Sequence, residues 1–277
     1  MRHVRLVIEY DGTNYRGWQS QKEGGTIQDI IGEAIAATTG KRPRLTGASR
    51  TDAGVHALGQ VAAFSTDSRL RPEVIMRALN AKLPPDIRIL LAEETGADFH
   101  PRYCAQQKSY VYIISRSGSH SAFLSRYCWT IPYTLNLDEM GKAASLLIGE
   151  HDFSSFMGSG CSSKHQVRRI HTLQITRLPD ISFMTASMRG DYIKIRIEAN
   201  AFLRHMVRNI VGTLVEVGRS RITVAACREI LASRDRTKAG PTAPARGLFL
   251  ERIIYQEGHA ALQNDPDGPV RNGQCSF

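Results

Sequence analysis

Residues 47 to 60 read GASRTDAGVHALGQ, and the one carboxylate among them is Asp52. No second acid, cysteine pair or metal-type histidine spacing accompanies it. The chain has no G-x-x-x-x-G-K-[ST], no G-x-G-x-x-G after a strand and no G-x-S-x-G, so no phosphate cradle, dinucleotide site or serine-hydrolase elbow is signalled. Its nine histidines include no H-x-x-x-H, and His165 and His171 stand six apart, which suits neither a helix face nor a zinc knuckle. No metal and no cofactor are expected. Any chemistry must then come from ordinary side chains. Taken alone, an Asp before Ala-Gly most often caps its own turn.

The elements around Asp52 are legible in the periodicity. Residues 4 to 9 predict a strand, followed by a turn-rich stretch, DGTNYRGW. Thr26, with Asp29 three residues on, predicts a helix start. Ile27, Ile30, Ile31, Ala34 and Ile35 form its apolar stripe, and Gly40 stops it. A strand follows at 58 to 65, a helix opened by Pro72 at 72 to 81, and a strand at 87 to 93. The second half predicts a strand at 108 to 115 and a helix at 138 to 148. Three strands then follow, at 170 to 178, 181 to 188 and 192 to 199, joined by Pro-Asp and Gly-Asp turns. Helices from Phe202 to about Val217 and from Thr223 to Leu231 precede a last strand at 247 to 255. Strands and helices in such runs indicate an α+β fold with largely antiparallel sheets flanked by helices, rather than a doubly wound parallel sheet. A boundary near 105 divides an N-terminal α+β subdomain carrying the Asp52 loop (1–105) from a C-terminal one (106–257). The polar stretch 258–277 is expected to be a flexible tail.

The 277 residues are 42% hydrophobic and 22% charged, with a formal net charge of +10 and a pI of about 9.6. That excess favours a polyanionic partner, nucleic acid first and an anionic membrane second. It concentrates at residues 160 to 221, where 11 Lys and Arg face 4 Asp and Glu. Five scattered cysteines, at 104, 128, 161, 227 and 275, fit reduced thiols better than a disulfide framework. No apolar run approaches the ~18 residues of a membrane span, and the N-terminus does not read as a signal peptide. A cytoplasmic location is the expectation.

RTDAGVHALGQ (50 to 60) resembles the active-site motif of the TruA family of tRNA pseudouridine synthases. YDGTNYRGWQSQ, TIQD, FHPRYCAQQKSYVY, FLRHMVRNIVGTLVEVG and APARGLFLERIIY also resemble segments of that family, in the family's order, over about residues 1 to 255. One departure is Ser49, where the family usually has glycine. The resemblance implies a pseudouridine synthase fold with the active-site cleft between its two subdomains. It implies an isomerase that converts uridine to pseudouridine in the anticodon stem-loop of tRNA, at tRNA positions 38 to 40. No cofactor is implied, and members are homodimers.

The resemblance also assigns residues. Asp52 becomes the nucleophile, attacking C1′ of the ribose or adding to C6 of the base. Breaking a glycosidic bond builds positive charge on the sugar that a carboxylate can answer. Arg208 becomes its bidentate partner. Tyr110 would stack on the flipped uracil and relay the C5 proton, with Tyr112 the core member of that strand. Arg50 and Thr51 flank the site, and Leu248 packs under the base. Phe99, His100, Pro101, Arg102 and Tyr103, with Ser163, Lys164 and His165, would form two tRNA-contacting loops. His56 reads as structural. Two other readings remain open: the same chemistry on a different uridine or RNA, and a non-catalytic RNA-binding protein on the same fold.

Overall fold

A computed structural model of the chain describes residues 1–116, 121–183 and 186–256; the expected tail at 258–277 lies outside them. Among the described residues one ten-stranded mixed sheet runs through both halves of the chain. Its strands are β1 (Arg2–Tyr10), β2 (Thr46–Gly47), β3 (His56–Thr66), β4 (Ile87–Thr95), β5 (Ala105–Ser115), β6 (Trp129–Thr130), β7 (Gly149–Asp152), β8 (Val167–Phe183), β9 (Ala186–Ala199) and β10 (Leu248–Tyr255). The spatial order is β4-β1-β3-β10-β5-β9-β8-β7, with β2 beside β3 and β6 beside β5. The last strand in sequence is therefore central in space. β10 pairs parallel with β3, Leu250 opposite Ala57, and antiparallel with β5, Leu250 opposite Tyr110. That rung puts the segment after Asp52 level with Tyr110.

Among the described residues five α-helices cover the sheet: α1 (Ile27–Thr39), α2 (Pro72–Asn80), α3 (Leu137–Ser145), α4 (Met206–Gly218) and α5 (Val224–Ser233). The Thr26 cap forms as expected: its hydroxyl accepts from the Asp29 backbone N–H, and Gly40 closes α1 in the left-handed region at φ 81°.

Three expectations are corrected. The strands predicted at 170 to 178, 181 to 188 and 192 to 199 are two long ones, β8 and β9, of 17 and 14 residues. Pro179-Asp180 and Gly190-Asp191 are not turns. Leu178 pairs with Tyr192 and Asp180 with Arg189, so Gly190 and Asp191 oppose the single Pro179 in a bulge. A bulge tolerates proline because no ladder donor is needed there. Second, α4 starts at Met206 and not at Phe202, because His205 stands at φ 59°, outside helical geometry. Third, the helix expected at 138 to 148 is α3, which ends at Ser145 before β7 starts at Gly149; β2, β6 and β7 are too short to show a period of their own.

Candidate active site

Asp52 lies on the loop from β2 to β3, and that loop is held from three sides. Gln60 clamps Ser49: its amide donates to the Ser49 carbonyl at 2.8 Å, and its Oε1 accepts from the Ser49 N–H at 3.2 Å. The Val55 N–H closes a turn onto the Asp52 carbonyl at 3.1 Å, and the Trp18 N–H donates to the Thr51 carbonyl at 3.0 Å. Gly17 makes that second approach possible, since at φ 87° a Cβ there would lie 2.6 Å from the Thr51 oxygen. Thr51 is buried and exchanges a 2.7 Å hydrogen bond with the Tyr10 hydroxyl. Arg50 points outward and is exposed.

His56 braces the same motif from below. Its ring is buried, stacked on Phe249 at 4.8 Å. Nδ1 accepts from the Gly12 N–H at 3.1 Å, and Nε2 faces the carbonyls of Arg126 and Arg246 at 3.0 and 3.2 Å. Nδ1 also lies 3.0 Å from Asp11 Oδ1, and burial pushes the ring's pKa down against the charge of that carboxylate. Its structural reading agrees with this geometry.

Arg208 arrives from the first turn of α4. Its Nη1 donates to Asp52 Oδ2 at 3.0 Å, and its Nε donates to the Ala243 carbonyl at 2.7 Å. The expected bidentate pair is thus replaced by a shared guanidinium, one arm on the carboxylate and one on the backbone. The Ala243 N–H returns a bond to the Arg208 carbonyl at 3.1 Å. Gly212 lets the 240–243 segment lie this close to α4, because a Cβ there would sit 1.7 Å from the Pro241 oxygen. The Asp52 and Arg208 side chains are 27% and 16% exposed, so the carboxylate keeps an open face while its partner is nearly covered. A lone carboxylate so placed is offset by this cation and by the positive end of α4.

Sequence reasoning passed over His205. Its Nε2 lies 3.5 Å from the same Asp52 Oδ2. Burial lowers its pKa, and Arg208, Arg204 and Arg236 push the same way against Asp52. Only its place in FLRHMVR, three residues before Arg208, signalled it.

Tyr110 is buried on β5, edge-on to Phe202 at 5.0 Å. Its hydroxyl lies 2.8 Å from Ser49 Oγ. Burial pushes its pKa up to about 12, and the Asp52 charge adds to the rise. Tyr112 is a core residue whose hydroxyl donates to the Pro244 carbonyl at 2.7 Å. Leu248 is buried at the start of β10, opposite Tyr112.

The two loops are only partly as expected. Phe99 is 6% exposed, packed on Tyr255 at 5.2 Å with the Arg5 guanidinium over its ring. It belongs to the core, and its ring is not open to a base. Tyr103 is 76% exposed. Its ring lies 4.3 Å from His100 and 5.9 Å from the Arg102 guanidinium. His100 Nδ1 accepts from the Arg102 and Tyr103 N–H groups, and the Pro101 carbonyl accepts from Tyr255 at 2.8 Å. In the second loop Ser163 donates to the His165 carbonyl at 2.8 Å, and Lys164 and His165 are exposed.

A ten-stranded mixed sheet beside which a loop carboxylate is gripped by an arginine from a distant helix, close to a buried tyrosine, defines a specific class of protein. A model of the tRNA pseudouridine synthase family matches residues 6–104 and 143–256, and the chain belongs to that family. Asp52, Arg208 and Leu248 fall within the matched segments, and Tyr110 falls between them. Over 255 residues the chain is 48% identical to the tRNA pseudouridine synthase A of Thermoanaerobacter pseudethanolicus, covering 92% of this chain and all of the relative. The proteins of that name from Acetivibrio thermocellus and Thermodesulfovibrio yellowstonii are 46% and 41% identical with the same coverage.

Proposed function

We propose that this chain isomerises uridine to pseudouridine in tRNA, within the anticodon stem-loop at tRNA positions 38 to 40, with no cofactor. The observation that carries the reading is the 3.0 Å contact between Arg208 Nη1 and Asp52 Oδ2, which joins groups 156 residues apart. Cleaving the N1–C1′ bond leaves positive charge on the ribose or requires prior addition at C6. Asp52 answers either need as an anionic nucleophile aimed by Arg208. The freed uracil turns and rejoins C1′ through C5, and the C5 proton then leaves. Tyr110 supports that last step as a neutral hydroxyl paired with Ser49; its ring is as buried as that of Phe99 and packs against Phe202, so the expected stacking on the uracil is not part of this reading. Leu248 lines the pocket beneath, and Arg50 and Thr51 flank it.

Extruding the uridine costs a few kcal/mol of stacking and pairing. Contacts from Arg102, Tyr103, His100 and Pro101, and from Ser163, Lys164 and His165, offset that cost. The enzyme acts as a cytoplasmic homodimer. The test is release of tritium from C5-labelled uridine in tRNA, with mapping of the product position. No release from any tRNA anticodon stem-loop would refute the assignment.

A further inference from the structure

Lys108 is a buried cation without an anion. It is 7% exposed, and its Nζ donates to the Ala48 carbonyl at 2.6 Å. Two of its three N–H groups have no partner among the described residues. A buried ammonium held by one carbonyl is costly, and proteins keep such groups paired. The neighbouring groups on its face are also positive. Lys108, Ala199 and Ile170 lie on one rung across β5, β9 and β8, so they share a face. Arg168, two residues before Ile170, returns to that face, as does Tyr110, two residues after Lys108.

Arg168 folds its own loop: Nη1 donates to the carbonyls of His165 and Val167, Nη2 donates to Ser163 Oγ at 2.8 Å, and its buried Nε has no partner. Arg102 stands on the turn just before β5, anchored by the Pro101–Tyr255 bond. Among the described residues no carboxylate pairs with any of these three cations. Two charges facing Lys108, Arg102 and Arg168, come from other elements; on its own strand only the neutral Tyr110 hydroxyl titrates nearby. Burial first, then those arginines, lower the Lys108 pKa to about 8.

We propose that Lys108, Arg168 and Arg102 form a seat for one phosphodiester of the RNA strand that carries the target uridine. A phosphate presents oxygens in several directions, which suits one ammonium and two guanidiniums carried on three segments, whose charges already act on Lys108. The seat adjoins the reaction centre: Lys108 holds the carbonyl of Ala48, and Tyr110 bonds the hydroxyl of the next residue, Ser49. It rests on the RNA reading above and deepens it.

The experiment is fluorescence anisotropy of a labelled tRNA anticodon stem-loop with the full chain, between pH 7 and 9. An anion holds Lys108 protonated, so binding takes up a proton once pH exceeds the free pKa. Affinity of the wild type should fall up to about tenfold over that range, following the fraction of charged lysine. Lys108→Met should bind about five- to tenfold more weakly at pH 7, lose the pH dependence, and lower the salt slope by about one. Lys108→Arg should hold affinity flat to pH 9. Arg169→Gln, whose guanidinium faces Glu150 at 3.4 Å instead, should keep the full pH dependence. Lys108→Met should also melt at or above the wild-type temperature, because a buried unpaired charge is removed.

Unchanged pH dependence and salt slope in Lys108→Met would overturn the seat, as would a lower melting temperature with unchanged affinity. If that variant does not fold, a pH-independent wild type or an unchanged salt slope in Arg168→Gln overturns it equally. Failure of the wild type to bind any tRNA is a different result, and refutes the RNA reading itself.

Discussion

The hydroxyls of Ser49 and Tyr110 meet at 2.8 Å, joining the loop that carries Asp52 to the central strand β5. The bond needs the serine hydroxyl, which an alanine or a glycine at 49 would lack. Without it the Tyr110 hydroxyl is buried and unpaired, at a cost of about 1–3 kcal/mol. Ser49→Ala should therefore lower the melting temperature by several degrees and reduce kcat more than KM. The double variant Ser49→Ala with Tyr110→Phe should be more stable than Ser49→Ala alone, since both partners are then gone. Additive stability losses in that cycle would deny the coupling.

Asp52→Ala should abolish tritium release while tRNA affinity stays within a few-fold of wild type or tightens, because a negative charge leaves a basic surface. Turnover above about a hundredth of wild type would remove Asp52 from the nucleophile's role.

Arg208 donates to Asp52 and also closes onto the Ala243 carbonyl. A lysine has one ammonium and cannot donate to both at once. Arg208→Lys should be nearly as slow as Arg208→Ala, and the Asp52→Ala, Arg208→Ala double variant no slower than Asp52→Ala alone. Turnover preserved at saturating tRNA in Arg208→Ala, with a salt slope lowered by about one, would make it a phosphate ligand instead.

Binding is the role proposed for the exposed residues of the two loops. Arg102→Ala with Lys164→Ala should raise the tRNA Kd and flatten its salt dependence by about two, one for each lost phosphate contact. Turnover at saturating tRNA should fall less than affinity. Phe99→Ala should act differently, destabilising the fold by about 3–5 kcal/mol as a core truncation.

His56 sets an acid limit on stability. Its folded pKa is lowered by burial, so above the unfolded value near 6.5 neither state is charged and the group is silent. As pH falls below that value, the unfolded chain takes a proton that the folded ring resists, and stability declines until the folded pKa is reached. Urea midpoints between pH 7.5 and 5 should fall more steeply in wild type than in His56→Gln. Equal slopes would show that His56 titrates normally in the folded chain.

Much of this was legible in one dimension. Thr26, Gly40, Pro72 and Thr223 mark helix ends because capping is a local matter of a few backbone groups. The alternation of KSYVYIIS and GLFLERIIY announces strands for the same reason. RTDAGVHALGQ named the carboxylate, and FLRHMVR named its arginine. The long β8 and β9 were misread because a Pro-Asp pair signals a turn locally, and only pairing with a partner strand turns it into a bulge. Phe99 looked like a stacking platform because FHPRY resembles a tRNA-contacting loop of the family, and a local resemblance does not show which ring is buried.

What the tertiary structure alone decided is which distant groups meet. No periodicity relates Ala48 to Lys108, Ser49 to Tyr110 or Asp52 to His205, and the insertion of β10 between β3 and β5 sets these distances. Nor does sequence show that Arg208 divides its guanidinium between Asp52 and Ala243. The types of the reacting groups are local properties of the chain, whereas their spacing, burial and charge balance arise only when segments far apart in sequence pack on one sheet.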